Sequence, residues 1–438
     1  MSARPAAVPS GGSNRAALAR LLIVLSAGIL AAWLLHGLNV LVVVLALVAM
    51  VMLHEAGHFV AAKASGMKVT EFFLGFGPRL WSVRRGETEY GVKAIPAGGY
   101  VRIVGMTSAE EVDPADEARS YRQASFPRRL AVAVAGSTMH FVMAFCLLWG
   151  LIASVGWTVT TRQVSAIPRL SHLESPARLA GLRRGDVIVA IDGRPVRSGA
   201  QLISTIEGDA GRRLTLTVRR GGRTVVLHAT PVDGRRVVVA GTSQAAKSGP
   251  APKGFLGIEL RSRDEPINVG SAAWHAGSEL GIVTSQTATG IARVFSLHGL
   301  SSFFKSVATA GQHHTSAAGS AGSAGATGAS GSSGQILSVL GAVDIGAQAA
   351  SHDVPLLIYL LVLINVFVGM VNLFPMLPLD GGHVLIAVYE RVRSRRGRRY
   401  HADVTKLMPV AYLFLAFIVV IGLGALYANI VAPPSLGG

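Results

Sequence analysis

The sequence predicts a polytopic α-helical membrane protein of about five spans. It also predicts a membrane-associated β-hairpin and an inserted, water-soluble α+β domain. Three observations carry this reading. Half of the chain is hydrophobic (50%), and the mean hydropathy of +0.46 is high for a soluble protein. Apolar runs of bilayer length recur at Leu38 to Ala62, Leu130 to Ala153, Pro355 to Leu379 and Leu407 to Val431. Between the second and third of these, residues 160–232 turn polar, with short β-patterned runs, turns and many charges.

The elements follow in order. Residues 1–16, rich in Pro, Ala, Gly and Ser, read as a disordered N-terminus. Residues 17–37 read as an extra N-terminal span, with His36-Gly37 as a turn and no clear cleavage site to make it a signal peptide. Residues 38–63 form the span that carries His54-Glu55-Ala56-Gly57-His58. Residues 64–126 hold the membrane-associated β-hairpin and an acidic loop. There Phe72 to Trp81 and Glu89 to Val101 mix aromatic and β-branched residues, which favour strands, with glycines, which permit tight turns.

Residues 127–156 are the next span, and 160–232 the soluble domain, where Leu214 to Val218 and Val225 to Leu227 read as strands around a hairpin turn at Arg219-Arg-Gly-Gly-Arg223. Residues 233–306 are a mixed segment, with an interfacial amphipathic helix expected from Ile291. Residues 307–336 are a Gly/Ala/Ser linker, and His313-His314 at its edge read as a solvated pair. Residues 352–383 form a span that ends in Asn372-Leu-Phe-Pro-Met-Leu-Pro-Leu-Asp380-Gly-Gly-His383. Residues 384–406 form a basic cytoplasmic loop, and 407–431 the last span.

The net charge is +17, but much of it flanks apolar spans. It reads as topology and affinity for anionic lipid of the bilayer rather than nucleic-acid binding. Seven Lys or Arg against one Asp fall between Arg391 and Lys406, which puts that loop in the cytoplasm. Counting spans back puts Arg128-Arg129 and the loop after His58 on the same side and the soluble domain outside. Cys146 is the only cysteine, so no intramolecular disulfide forms. Its apolar surroundings suggest a small buried residue.

His and Glu are costly inside a span, so the His54–His58 motif is a candidate site by default. Histidines four apart lie on one helix face and can grip one metal ion, and the glutamate between them can act as a base. The pattern also occurs by chance in soluble proteins. A catalytic zinc needs a third protein ligand. Asp380, set between two prolines and two glycines at the end of an apolar helix, is the best candidate, the alternative being an exposed turn aspartate. Asn372 is placed either to hydrogen-bond a substrate or to link two helices.

These residues resemble the site-2 protease family of intramembrane zinc metalloproteases. His54 to His58 matches its HExxH, and Asn372 to Gly381 its second motif. Gly75-Phe-Gly77 and Glu89 to Val101 look like its membrane-embedded β-hairpin. The resemblance implies zinc on His54, His58 and Asp380, with Glu55 as base. It implies Asn372 as a substrate-positioning group, and Gly75, Gly77 and the strand around Val92 to Val101 read as substrate-binding backbone edges for an extended substrate. One departure is His140, where many members have Asn. Residues 160–232 resemble a PDZ domain through Gly181-Leu-Arg-Arg-Gly185-Asp186-Val-Ile, which implies binding of peptide tails by strand addition. Its 11 Lys or Arg against 5 Asp or Glu over 165–230 suit acidic tails or headgroups, or a plain solvated surface.

The expected activity is intramembrane endoproteolysis of single-span membrane proteins, such as anti-sigma factors or signal-peptide remnants, in the plasma membrane. A non-catalytic membrane adaptor with a PDZ domain is the rival, and retention of Glu55 argues against it. A transporter or sensor would show inverted repeats, which the sequence lacks.

Overall fold

The computed structural model describes residues 14–106, 111–171, 173–238, 251–309, 346, 348–350, 353–394, 400, 402 and 404–431. Most of the linker, both His313 and His314, and the centre of the basic loop lie outside these residues. The chain forms two compact units, one of them built mainly from Ile152–His275 and the other from the segments on either side.

Helix α1 (Asn14–Ala64) is continuous for 51 residues. At 1.5 Å per residue it is about 76 Å long, well over one bilayer thickness. The turn expected at His36-Gly37 is therefore absent. No proline interrupts this stretch, and a lone glycine does not break a helix by itself. Among the described residues, four helices are long and apolar enough to cross a membrane, at Asn39–Ala64, Phe126–Val155, Val354–Asn372 and Met408–Tyr427.

Two long strands follow, β1 (Val69–Arg85) and β2 (Thr88–Ile103). They make more than a simple hairpin. Glu71 pairs with both Glu89 and Arg102, and Val92 pairs with both Leu74 and Trp81. Each strand therefore bends back near its middle, at Gly75–Gly77 in β1 and at 96–98 in β2. The result is a ladder of four strand segments, with the first halves of β1 and β2 inside it. Gly75 and Gly77 take left-handed backbone angles (φ +86° and +85°), and a side chain at Gly75 would run into the Ile95 carbonyl. Glu89 to Val92 is thus paired on both sides, so the strand expected from Val92 to offer an edge begins inside the ladder at Val92. The second half of β2, from Gly99 to Ile103, pairs with β1 on one side only.

Glu87 closes the tip of this sheet. Arg119 donates to both its oxygens (2.7 and 2.9 Å), and Lys63 at the end of α1 donates at 2.5 Å. Arg119 and then Lys63 hold the Glu87 carboxyl down at about 2.

Helix α2 (Phe126–Val155) leads into the second unit. Cys146 is exposed on its surface, which corrects the expected burial. The face of a span turned outward is apolar too, so hydropathy does not tell inside from outside there.

The second unit contains β3 (Trp157–Ala166), a short α3 (Pro176–Leu179), β4 (Val187–Ile191), β5 (Arg194–Pro195), α4 (Gly199–Gly208), β6 (Leu214–Arg220), β7 (Arg223–Ala229), β8 (Val232–Asp233), β9 (Gly254–Phe255) and β10 (Glu259–Glu265). The sheet runs β10-β3-β4-β6-β7, with β5 paired to β4. The predicted strands and the Gly221-Gly222 turn are present, both glycines at positive φ as a two-residue hairpin turn requires. Ser198 caps α4 by accepting from the Gln201 N–H at 3.1 Å. Ile188, Leu202, Leu214 and Leu216 form the core, each worth about 1.5–3 kcal/mol of burial.

Leu256 belongs to the same core, so the unit runs past residue 232 to Glu265. Arg220 donates to both oxygens of the buried Asp186 (2.8 and 2.7 Å), which lowers that carboxyl below its usual range. A groove of about 200 Å³ lies between α4 and the β9–β10 segment, lined by Ile203, Ile206, Phe255, Leu256 and Leu260 among others.

Beyond it come α5 (Val269–Val294) and α6 (Leu297–Thr309), separated at Ser296, whose hydroxyl accepts from the Gly299 N–H at 3.0 Å. The helix expected from Ile291 is thus the end of one helix and the start of another. Helix α7 (Val354–Asn372) is capped by Asp353, which accepts from the Leu356 N–H at 3.0 Å. Residues 373–379 leave the helix, as Pro375 and Pro378 favour. Helix α8 (Asp380–Arg393) then starts at Asp380, and α9 (Met408–Val431) ends the described chain.

Candidate metal centre

Three side chains from two distant elements meet in the first unit. His54 and His58 sit one turn apart on α1, with ring centroids 4.8 Å apart at 81°. The His58 Nδ1 donates to the Val132 carbonyl on α2 at 2.8 Å. That bond fixes the tautomer and leaves a lone pair on Nε2. His58 Nε2 and His54 Nε2 are 3.3 Å apart. Asp380 opens α8 and brings Oδ1 to 3.3 Å from His58 Nε2 and Oδ2 to 3.5 Å from His54 Nε2. Ser137 on α2 donates to Asp380 Oδ2 at 3.4 Å.

This geometry fits a metal ion. Ligand atoms about 2.0–2.1 Å from a tetrahedral zinc stand about 3.3–3.4 Å apart. The three donors lie within 4.8 Å of one another, and among the described residues they are the group of this kind that could hold an ion. Gly136 supplies the room. A Cβ there would fall on His58 Nε2 and within 2.7 Å of His54 Nε2, in the space both nitrogens border. Gly57 matters too, since a Cβ there would lie 2.7 Å from the Ala135 carbonyl oxygen. Small residues thus let α1 and α2 approach closely.

Glu55 points to the sheet. The Val101 N–H of β2 donates to its carboxylate. Gly99, two residues earlier, leaves space against the Glu55 side chain that any Cβ would occupy. The one-sided half of β2 therefore runs directly beside this glutamate.

His140 approaches without joining the cluster. Its ring lies 4.9 Å from that of His54, and its Nδ1 donates to Asn365 Oδ1 at 3.0 Å. The Asn365 amide donates to Leu361 O at 2.8 Å, so its oxygen is the acceptor for His140. Asn372 is the last residue of α7. Gly75 and Gly77 lie at the bend of β1. Sequence reasoning missed Gly99, Gly136, Ser137 and Asn365. Asn365 had a readable signal, as a polar residue inside an apolar run. The others are small residues whose value is the space they leave.

The model of peptidase family M50 matches residues 42–416. The chain belongs to peptidase family M50. This M50 peptidase is 33% identical to the zinc metalloprotease Rip1 of Mycobacterium tuberculosis over 414 residues, covering 89% of this chain and 96% of the relative. It is 30% identical to Rip1 of Mycolicibacterium smegmatis over 429 residues, covering 91% and 99%. The protein is thus a zinc metalloprotease of the site-2 protease family, with the apolar helices of a multi-pass membrane protein. The adaptor reading falls with that assignment.

Proposed function

We propose that this M50 peptidase cleaves the transmembrane segments of single-span membrane proteins, with zinc held by His54, His58 and Asp380. The observation that carries the reading is the convergence of these three donors from α1 and α8, at spacings that suit zinc. Zinc, when bound, supplies Lewis acidity, drawing electron density from a carbonyl oxygen and making a water easier to deprotonate. Glu55 takes the proton of the attacking water on its carboxylate and returns it to the leaving amine. The Val101 N–H and the open face at Gly99 keep that carboxylate in one orientation. Asn372, Gly75 and Gly77 serve the substrate backbone.

The substrates are membrane proteins already trimmed outside, of the anti-sigma-factor or signal-peptide-remnant kind. The enzyme sits in the plasma membrane with the basic flanks inside and the 152–275 unit outside. That unit acts as a PDZ-like filter that holds peptide tails. Its apolar groove beside α4 and the Gly181-to-Ile188 segment support this role.

The test pairs metal analysis with a cleavage assay on purified full-length protein. Glu55→Gln abolishes cleavage and keeps zinc, whereas His54→Ala loses both. Unchanged cleavage by Glu55→Gln rules out the mechanism.

A further inference from the structure

Helix α8 carries a polar stripe that continues past the metal centre. Asp380, His383 and Glu390 are spaced three and seven residues apart, within an arc of about 80° on the helix. Helix α2 and the segment before it meet this stripe at three levels. Ser137 donates to Asp380 at one end. In the middle, the buried Tyr121 ring faces His383 with centroids 6.5 Å apart. At the far end Arg129 Nη1 lies 2.6 Å from Glu390 Oε2, with side chains only 12% and 8% exposed. The Tyr121 ring also lies 5.1 Å from the Arg129 guanidinium, and its hydroxyl donates to the Arg129 carbonyl at 3.2 Å. The second Glu390 oxygen accepts from the Ala402 N–H at 2.7 Å.

A buried ion pair is a poor device for stability alone. Two charges lose their hydration, and apolar residues of similar size would serve the fold as well. Its best-attested use is to fix one registry between elements, because every other registry leaves a buried charge unpaired. Here that registry has a specific consequence. Residues 373–379 enter α8 through turns, in which the Leu373, Phe374 and Leu379 N–H groups donate three residues back, and not through a continuous α-helix, so rotation or sliding of α8 would swing its first residue. That residue is Asp380.

We infer that Arg129 and Glu390 are positioning residues that hold α8 in the rotation and axial position at which Asp380 reaches His54 and His58. This rests on the proposed ligand set, and the test separates the two. Full-length protein in lipid nanodiscs is compared as wild type, Glu390→Gln, Arg129→Gln, Asp380→Asn and the Glu390→Gln/Asp380→Asn double variant. Zinc affinity is read by chelator competition and apo stability by unfolding temperature. Glu390→Gln keeps the acceptor for Ala402 and removes only the charge.

The expected result is a zinc affinity about 10- to 100-fold weaker in each single positioning variant, the range for groups that orient a metal ligand. The double variant binds no more weakly than Asp380→Asn alone, because the pair acts only through that carboxylate. A merely structural pair lowers the apo unfolding temperature and leaves zinc affinity at the wild-type value, which overturns the inference. Wild-type affinity in Asp380→Asn overturns the ligand set and the inference with it. If Glu390→Gln does not fold, the Arg129→Gln/Glu390→Gln variant, which removes both charges together and leaves neither unpaired, gives the same readout.

Discussion

Gly136 on α2 stands directly over His58 Nε2, at a position where a single added carbon would occupy the metal pocket. The helix therefore contributes to the site by what it omits. This makes a sharp contrast with Gly99, whose missing side chain leaves room for Glu55 instead.

The two glycines should separate metal binding from catalysis. Gly136→Ala is expected to lose zinc and cleavage together. Gly99→Ala is expected to keep close to one zinc per chain and lose cleavage by about 100-fold or more, as for a displaced acid–base group. Zinc content by elemental analysis beside the cleavage rate decides it. Full zinc in Gly136→Ala would show that the pocket lies elsewhere.

Glu87 predicts a pH dependence of stability. Its folded value of about 2 lies below the ordinary 4.5, so its contribution is complete above about pH 4.5 and fades as the pH falls toward 2. The site is partly exposed, so the effect is discounted for screening. Glu87→Gln should unfold about 2 °C lower than wild type at pH 7. The gap should close toward pH 2. A gap that stays constant from pH 7 to pH 3 would mean that the Arg119 and Lys63 contacts do not depend on the Glu87 charge.

The inserted unit can be removed cleanly. Trp157 pairs directly with Glu265, so the chain enters and leaves side by side. Replacing 157–265 by a short Gly/Ser linker should preserve zinc content and cleavage of a trimmed substrate while admitting substrates with intact outer domains. A deletion of 160–232 alone would strand β9 and β10 and should fold poorly. Loss of zinc in the clean deletion would make the unit part of the catalytic machinery.

Substrate presentation should depend on the half of β2 beside Glu55. A helical substrate shields its own peptide bonds, so Gly or Pro near the scissile bond should speed cleavage relative to Ala. Val101→Pro removes the N–H that holds Glu55 and should slow it. Equal rates across a substrate series of Ala, Gly and Pro would argue that unwinding is not limiting.

Much of this was legible in the residues. His54, Glu55, His58 and Asp380 announced themselves because ionisable groups are rare in apolar runs. The Gly221-Gly222 turn and the strands around it were legible from local chemistry. Three things were not. The doubling back of β1 and β2 depends on long-range pairing, which alternation along one strand does not encode. The continuation of the soluble unit to Glu265 lay beyond residues 239–250, a Gly/Ala/Ser-containing stretch that reads as a boundary. The Arg129–Glu390 pair joins residues that each look like an ordinary basic or acidic flank.

The order of the chain has a consequence for biosynthesis. His54, Glu55 and His58 emerge from the ribosome early, on the first helix, and Asp380 emerges only near the end. A nascent or prematurely released chain holds two nitrogens and a carboxylate base but lacks the oxygen that completes the pocket. On the proposed ligand set, a chain that stops short of Asp380 is expected to bind zinc weakly and to cleave nothing, however well its first helix is formed.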